Sequence, residues 1–243
     1  MKYLLILGAR SDLARALARR YASEGWALML AGRDKPELER DAADLKVRYQ
    51  VPVSVCMLNG LTTEGHASFY ANLPAIPNGV ICAIGLLGDQ TVATRDEEHA
   101  QLILATNFNG CVSLLGGAAK LLAERGSGFI VGIGSVAGDR GRKSNYYYGS
   151  AKAGLAAWLS GLRNSLAKTD ILVLTVKPGF IATKMTEGLK LPPLLTAQPD
   201  EVANDIYNAV IKGKDTLYTK WFWRYIMLII RHIPEAIFKR LSL

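Results

Sequence analysis

Hydrophobic positions follow two patterns that alternate along the chain. The first is the short, continuous apolar run. It occurs as "YLLILG" (3–8), "WALMLAG" (26–32), "VPVSVCML" (51–58), "NGVICAIG" (78–85), "GFIVGIGS" (128–135) and "DILVLTVKPG" (170–179). Runs of this length, bounded by glycine, polar or charged residues, predict strands buried on both faces. The second pattern has apolar residues at helical spacing. "SDLARALARRYASEG" (11–25) has it and closes on Gly25, a residue suited to the end of a helix. Lys35–Tyr49 predicts a charged helix, residues 97–126 a long apolar one, and residues 146–168 another.

Strands alternating with helices imply a parallel sheet covered on both faces. The expected architecture is α/β: one doubly wound Rossmann domain over residues 1–215, with ligands at the carboxyl ends of the strands. Residues 216–243 form an amphipathic helical extension.

The chain has 243 residues, half of them hydrophobic, enough for one sizeable core. Cys56, Cys82 and Cys111 are few, odd in number and widely spaced. They predict neither a disulfide framework nor a metal site, and fit a reducing cytoplasm. The opening "MKYLLILGAR" meets Gly8 and Arg10 too soon for a signal peptide and reads as a buried first strand. The net charge is +8. No zinc-finger spacing, RNA-binding signature or basic helix free of large apolar residues accompanies it, so nucleic acid is not the expected partner. An anionic small molecule or an anionic membrane surface suits the charge better.

The first predicted strand runs into "LGARSDLA" (7–14), where Gly8 turns the chain tightly into a helix. Backbone N–H groups at such a helix start can hold a pyrophosphate. The second strand ends in "MLAGRD", with Arg33 rather than a carboxylate at its tip. A cation there suits a 2′-phosphate, which favours NADP(H) over NAD(H). The fourth strand ends at Gly85, where the backbone can approach a ribose closely.

Tyr148 and Lys152 are four residues apart and share a helix face. An ammonium beside a phenol favours the phenolate and makes a tyrosine a usable general acid or base. Thirteen residues before Tyr148 lies Ser135, at the end of the fifth strand, where a hydroxyl can donate to a carbonyl oxygen gaining charge. Asn107, in "TNFNG", is placed mid-helix, where its amide can hold a backbone carbonyl or a water.

Ser135, Tyr148, Lys152 and Asn107, with Gly8 and "KPGFIAT" (177–183), resemble the short-chain dehydrogenase/reductase family over residues 1–212. The resemblance implies an NAD(P)-dependent oxidoreductase acting on a ketone or its alcohol. Tyr148 would be the proton donor and Ser135 would position the substrate oxygen. Lys152 would bind the nicotinamide ribose and tune the tyrosine, and Asn107 would support a proton relay. The cofactor would meet Gly8, Arg10, Ser11, Leu13, Arg33, Asn59, Gly85, Pro178, Gly179, Ile181 and Thr183. Tyr146 and Tyr147 would be packing or pocket wall. The chain departs from the family pattern at its glycine-rich turn: Asp12 stands where a second glycine is expected and Ala14 where a third is. Asp12 is expected to face solvent, offset by Arg10. "CAIG" (82–85) replaces an asparagine-rich stretch, and Asn59 stands where an adenine-binding aspartate is common.

Arg140, Arg142 and Lys143 lie between Ser135 and Tyr148 and suit a phosphate on the substrate. From Thr216 onward there are five Lys/Arg and one Glu, with the longest uncharged stretch "YIMLII" too short to span a bilayer. Read as a helix, Phe222, Ile226, Ile229, Ile233 and Ile237 fall on one side, with Arg224, Arg231, Glu235 and Lys239 on another. Pro234 starts a second short helix. Trp221, Trp223 and Tyr225 suit a water–lipid boundary. This pattern predicts peripheral membrane contact through residues 217–243, at the cytoplasmic face, or packing on the domain or on a second subunit of a homo-oligomer. "GSVAGDRGRKSNYYYGSAKAGL" (134–155) and "LGARSDLA" also look like the branch of the family that reduces a keto group on a decaprenyl-phosphate-linked pentose. That resemblance implies a lipid-linked keto-sugar. The alternative is a dinucleotide-binding sensor or membrane-tethered scaffold with weak or no catalysis.

Overall fold

A computed structural model describes residues 1–241. The elements in chain order are β1 (Tyr3–Leu7), α1 (Asp12–Ala22), β2 (Ala27–Gly32), α2 (Lys35–Tyr49), β3 (Val53–Met57), α3 (His66–Ala71), β4 (Gly79–Cys82), α4 (Gln90–Ala93), α5 (Glu97–Leu104), α6 (Gly110–Arg125), β5 (Ser127–Ile133), α7 (Tyr146–Ser165), β6 (Asp170–Pro178), β7 (Phe180–Ile181), β8 (Thr196–Ala197), α8 (Pro199–Ile211), β9 (Thr216–Thr219), α9 (Trp223–His232) and α10 (Glu235–Phe238). Seven strands form one parallel sheet in the order β3-β2-β1-β4-β5-β6-β9. The order reverses between β1 and β4, and the crevice outside the strand ends there is where an open α/β sheet binds ligands.

The strand period of two sorts side chains to opposite faces. Leu4, Ile6, Leu28, Leu30, Ile81 and Val131 pack with α1 and α8 on one side. Leu5, Leu7, Met29, Val80 and Ile130 pack with α6 and α7 on the other. Each fully buried leucine contributes about 1.5–3 kcal/mol. Helix starts follow their caps. Ser11 accepts from the Ala14 N–H to open α1, and Asp34 accepts from the Glu37 N–H to open α2. Gly126, in the left-handed region at φ +85°, closes α6.

Two expectations need correction. The long helix predicted over 97–126 is interrupted: a π-helical turn at Ala105–Asn109 separates α5 from α6. The extension does not begin at residue 216, because Thr216–Thr219 pairs in parallel with Thr175–Pro178 as the seventh strand. The helical extension therefore starts beyond Thr219; its last two residues, 242 and 243, lie outside the described residues. Residues 97–125 are long and apolar enough to cross a membrane by length and composition. Cys111, Leu114, Leu115, Ala118 and Leu122 from this stretch are buried against the sheet as a core layer of the domain.

Candidate active site

A cavity of about 690 Å³ opens at the carboxyl ends of β1, β4, β5 and β6. Ser135, Tyr148, Lys152, Gly85, Pro178, Gly179, Ile181 and Thr183 all line it, as do Arg10, Ser11 and Leu13 from the turn before α1. Gly8, Arg33, Asn59 and Asn107 are not in its wall.

Lys152 is 2% exposed, and its ammonium donates to the Ile133 carbonyl at 2.9 Å. Its Nζ stands 5.7 Å from the centre of the Tyr148 ring. Helical spacing of four residues is thus realised on α7. Ser135 follows β5 in extended backbone, with its Oγ accepting from the Ala137 N–H at 3.1 Å. Its hydroxyl proton remains available to donate to an oxygen in the cavity. Among the three successive tyrosines only Tyr148 reaches the cavity. Tyr147 packs with Tyr148 against Ala93, Ala100 and Ile103, and Tyr146 stacks on Tyr147 at the surface, ring centres 5.0 Å apart.

Asn107 is fully buried in the π-helical turn. Its Nδ2 donates to the carbonyls of Leu86 (2.6 Å) and Ile103 (2.9 Å), and its Oδ1 accepts from the Leu86 N–H at 3.2 Å. It is a clamp on the segment after Gly85 and sits behind the cavity wall. A Cβ added at Gly85 would stand 3.3 Å from Asn107 Oδ1 and 3.6 Å from Lys152 Nζ. The glycine therefore keeps open the space between the cavity and its two polar neighbours. Cys82 and Cys111 are free and buried; the neighbouring Cys111 thiol, with burial, raises the Cys82 thiol, while the Cys111 thiol donates to the Thr106 carbonyl at 3.3 Å.

The turn into α1 fits a dinucleotide. Gly8 has φ +78°, and a Cβ there would lie 2.9 Å from both Ile84 N and Ile84 Cγ1, so only glycine fits. Two expectations about this turn are overturned. The Asp12 carboxylate does not simply face solvent: it accepts from the Lys184 N–H at 2.7 Å, tying the turn to the segment after β7. Arg10 does not offset it, because its guanidinium pairs with Asp34 (2.8 Å) and Glu37 (3.0 Å). Arg33 is exposed at the tip of β2, with no ion pair among the described residues. Asn59 caps its own turn, accepting from the Leu61 N–H, rather than facing the cavity.

The three loop cations separate. Arg140 turns away from the cavity to the C-terminal helices: it pairs with Glu235 at 2.6 Å, donates to the Arg231 carbonyl and covers the Phe238 ring. Lys143 is exposed and outside the cavity wall; Arg142 is in it.

One wall residue was read differently in the sequence. Trp223, there a membrane-boundary aromatic, is 5% exposed and lines the cavity. It packs edge-on to Phe180, and a Cβ on Gly179 would fall 2.0 Å from its Nε1. The helical phase explains the miss. Trp223 and Met227 face Val136, with Phe222, Ile226 and Ile230 beside them, whereas Trp221, Tyr225, Leu228 and Ile229 are exposed. Pro234 opens α10 as expected.

Residues 2–192 match the short chain dehydrogenase family. The chain is 36% identical over 241 residues to an uncharacterized oxidoreductase of Mycobacterium tuberculosis, covering 98% of this chain and 96% of the relative. It is 32% identical over 207 residues to sulfoacetaldehyde reductase 2 of Chromohalobacter salexigens, covering 83% and 79%. Among solved structures, the short-chain dehydrogenase from Sphingobium yanoikuyae in complex with NADPH superposes with a TM-score of 0.83 at 22% identity, covering 97% of this chain and 98% of that one.

Proposed function

We propose, for a chain that belongs to the short-chain dehydrogenase/reductase family and is an oxidoreductase using a nicotinamide cofactor, that it reduces a ketone with NADPH through Ser135, Tyr148 and Lys152. The convergence of these three side chains on one cavity carries the reading. When bound, the cofactor supplies hydride. The Ser135 hydroxyl donates to the carbonyl oxygen as it gains charge. The Tyr148 phenol gives that oxygen its proton, and the Lys152 ammonium, fixed by the Ile133 carbonyl, stabilises the phenolate left behind. Asn107 acts one layer back, holding the segment after Gly85 through Leu86. Ser11 and Leu13 take the phosphates at the α1 start, on the turn that Gly8 makes possible, while Pro178, Gly179, Ile181 and Thr183 take the nicotinamide end.

Preference for NADPH is supported by Arg33, since the charge of Arg10 is already balanced by Asp34 and Glu37. Thermal protection by NADPH and NADH tests this. NADPH is expected to bind tighter, and Arg33→Ala to weaken it about tenfold while leaving NADH unchanged, the size of one charge-assisted phosphate contact. Equal loss for both cofactors would remove Arg33 from selectivity. NADPH consumption with a panel of cyclic, sugar and lipid-linked ketones tests the chemistry; binding without consumption of NADPH on any of them would point to a sensor.

A lipid-linked carbonyl substrate, met at the membrane face, is supported by α9. One side of that helix closes the cavity with Trp223. The other exposes Trp221 (73%), Ile229 (69%), Tyr225 and Leu228, among Lys220, Arg224 and Arg231. Aromatic and aliphatic side chains flanked by cations suit an anionic bilayer surface. Flotation with phosphatidylglycerol vesicles is expected for the native protein and not for the combined Trp221→Ser, Tyr225→Ser, Leu228→Ser, Ile229→Ser variant. Substitution is the right probe, because truncation at residue 216 would also remove β9 and Trp223. Equal flotation would take membrane contact away from α9.

A further inference from the structure

We propose that Arg142 and Gln90 form an anion subsite in the substrate part of the cavity, so that the substrate carries an oxyacid group (phosphate, carboxylate or sulfonate) near its carbonyl. The inference deepens the reductase reading and rests on it for the identity of the ligand as substrate. Arg142 is half-buried in the cavity wall, and burial pushes its guanidinium below the ordinary arginine range. Its Nε is buried with no hydrogen-bond partner among the described residues, and the guanidinium's one hydrogen bond there is a long one, Nη2 to the Val136 carbonyl at 3.4 Å. Val136 directly follows Ser135, and both Ser135 and Arg142 line the same cavity.

The carboxylates nearby are engaged elsewhere. Asp139 accepts from Lys177 at 2.5 Å and from the Tyr218 hydroxyl at 2.8 Å. Asp89, also in the wall, caps α4 by accepting from the N–H groups of Thr91 and Val92. Asp12 is held by the Lys184 N–H at the cofactor turn. Gln90 supplies a second donor. Its Oε1 accepts from the Tyr147 N–H at 3.1 Å, which fixes the amide and leaves Nε2 buried and without a partner among the described residues. Two buried donors without acceptors, one of them a guanidinium, are costly in an apolar cavity unless an acceptor arrives with the ligand. A planar fork matches the two oxygens of an oxyacid. The same physics accounts for why Arg140 and Lys143 are not part of it: the first is neutralised by Glu235 and the second is solvated.

The test measures binding, so it does not depend on turnover. Dissociation constants for phenylphosphonate, benzoate and benzenesulfonate, with benzyl alcohol as neutral reference, are measured on the full-length protein with and without saturating NADP+. The native protein is expected to prefer at least one anion over benzyl alcohol. Arg142→Gln should weaken that anion about tenfold or more and leave benzyl alcohol within about twofold, and Arg142→Lys should recover part of the loss. The best of the three anions identifies the oxyacid. No anion preference in the native protein, an Arg142→Gln variant that binds anions normally, or equal weakening of the neutral probe would overturn the proposal. Tyr148→Phe should bind the anions normally; if that variant also keeps its turnover, the reductase reading fails while the subsite stands.

Discussion

Tyr148→Phe is expected to lower kcat/KM for ketone reduction by roughly a thousandfold, within the range a general acid contributes, while the NADPH dissociation constant and the melting temperature stay nearly unchanged. The substitution removes one oxygen. The ring keeps its packing near Ala93, Ala100 and Ile103, and Lys152 keeps its bond to the Ile133 carbonyl. The wall residues that come from the α1 turn and from the segment after β6 lie on other elements and are untouched. On the proposed mechanism, what disappears is the proton that the reduced oxygen must receive. Steady-state kinetics with NADPH, paired with a thermal melt, checks it. A variant within tenfold of the native rate would mean that another group supplies the proton, and neither Tyr146 nor Tyr147 reaches the cavity to do so.

Much of this site was legible in the sequence because it is built from local rules. Buried parallel strands are continuous apolar runs, so β1 to β6 could be placed from hydrophobicity alone. Tyr148 and Lys152 meet because helical residues four apart share a face, and Gly8 marks a turn whose φ and close contact with Ile84 exclude any side chain. What stayed hidden depends on contacts between distant segments. Arg10 meets Asp34 and Glu37, Asp12 meets Lys184, and Arg140 meets Glu235, across 24 to 172 residues of chain. No local pattern encodes those pairings. β9 was missed because "TLYT" is four residues of mixed polarity at a sheet edge, too short and too polar to stand out. Trp223 was misplaced because α9 is apolar on more than one side, so helical spacing cannot say which side meets the domain.

Asn107→Asp is expected to destabilise the protein increasingly as pH rises. The substitution keeps the shape and replaces a donor with an oxygen. That oxygen would then face the carbonyls of Leu86 and Ile103, at the 2.6 and 2.9 Å now bridged by N–H groups. Protonated, the new carboxyl can donate to only one of them, leaving the other unpaired at a cost of about 1–3 kcal/mol, or roughly 2–12 °C in melting temperature. Ionised, it has only the Leu86 N–H to accept from and repels both carbonyls, so folding holds the proton and raises the group above its unfolded value of about 3.9. A group raised on folding contributes most below its unfolded pKa and loses that contribution as pH climbs through the folded one. The gap in melting temperature between the native protein and the variant should therefore widen from pH 5 to pH 8. A gap that narrows instead would mean that the Lys152 ammonium, on the other side of Gly85, leaves the Ile133 carbonyl to pair with the new charge. In that case the amide's two carbonyl bonds would not be what fixes the segment after Gly85, and Asn107 would owe its place to the lysine.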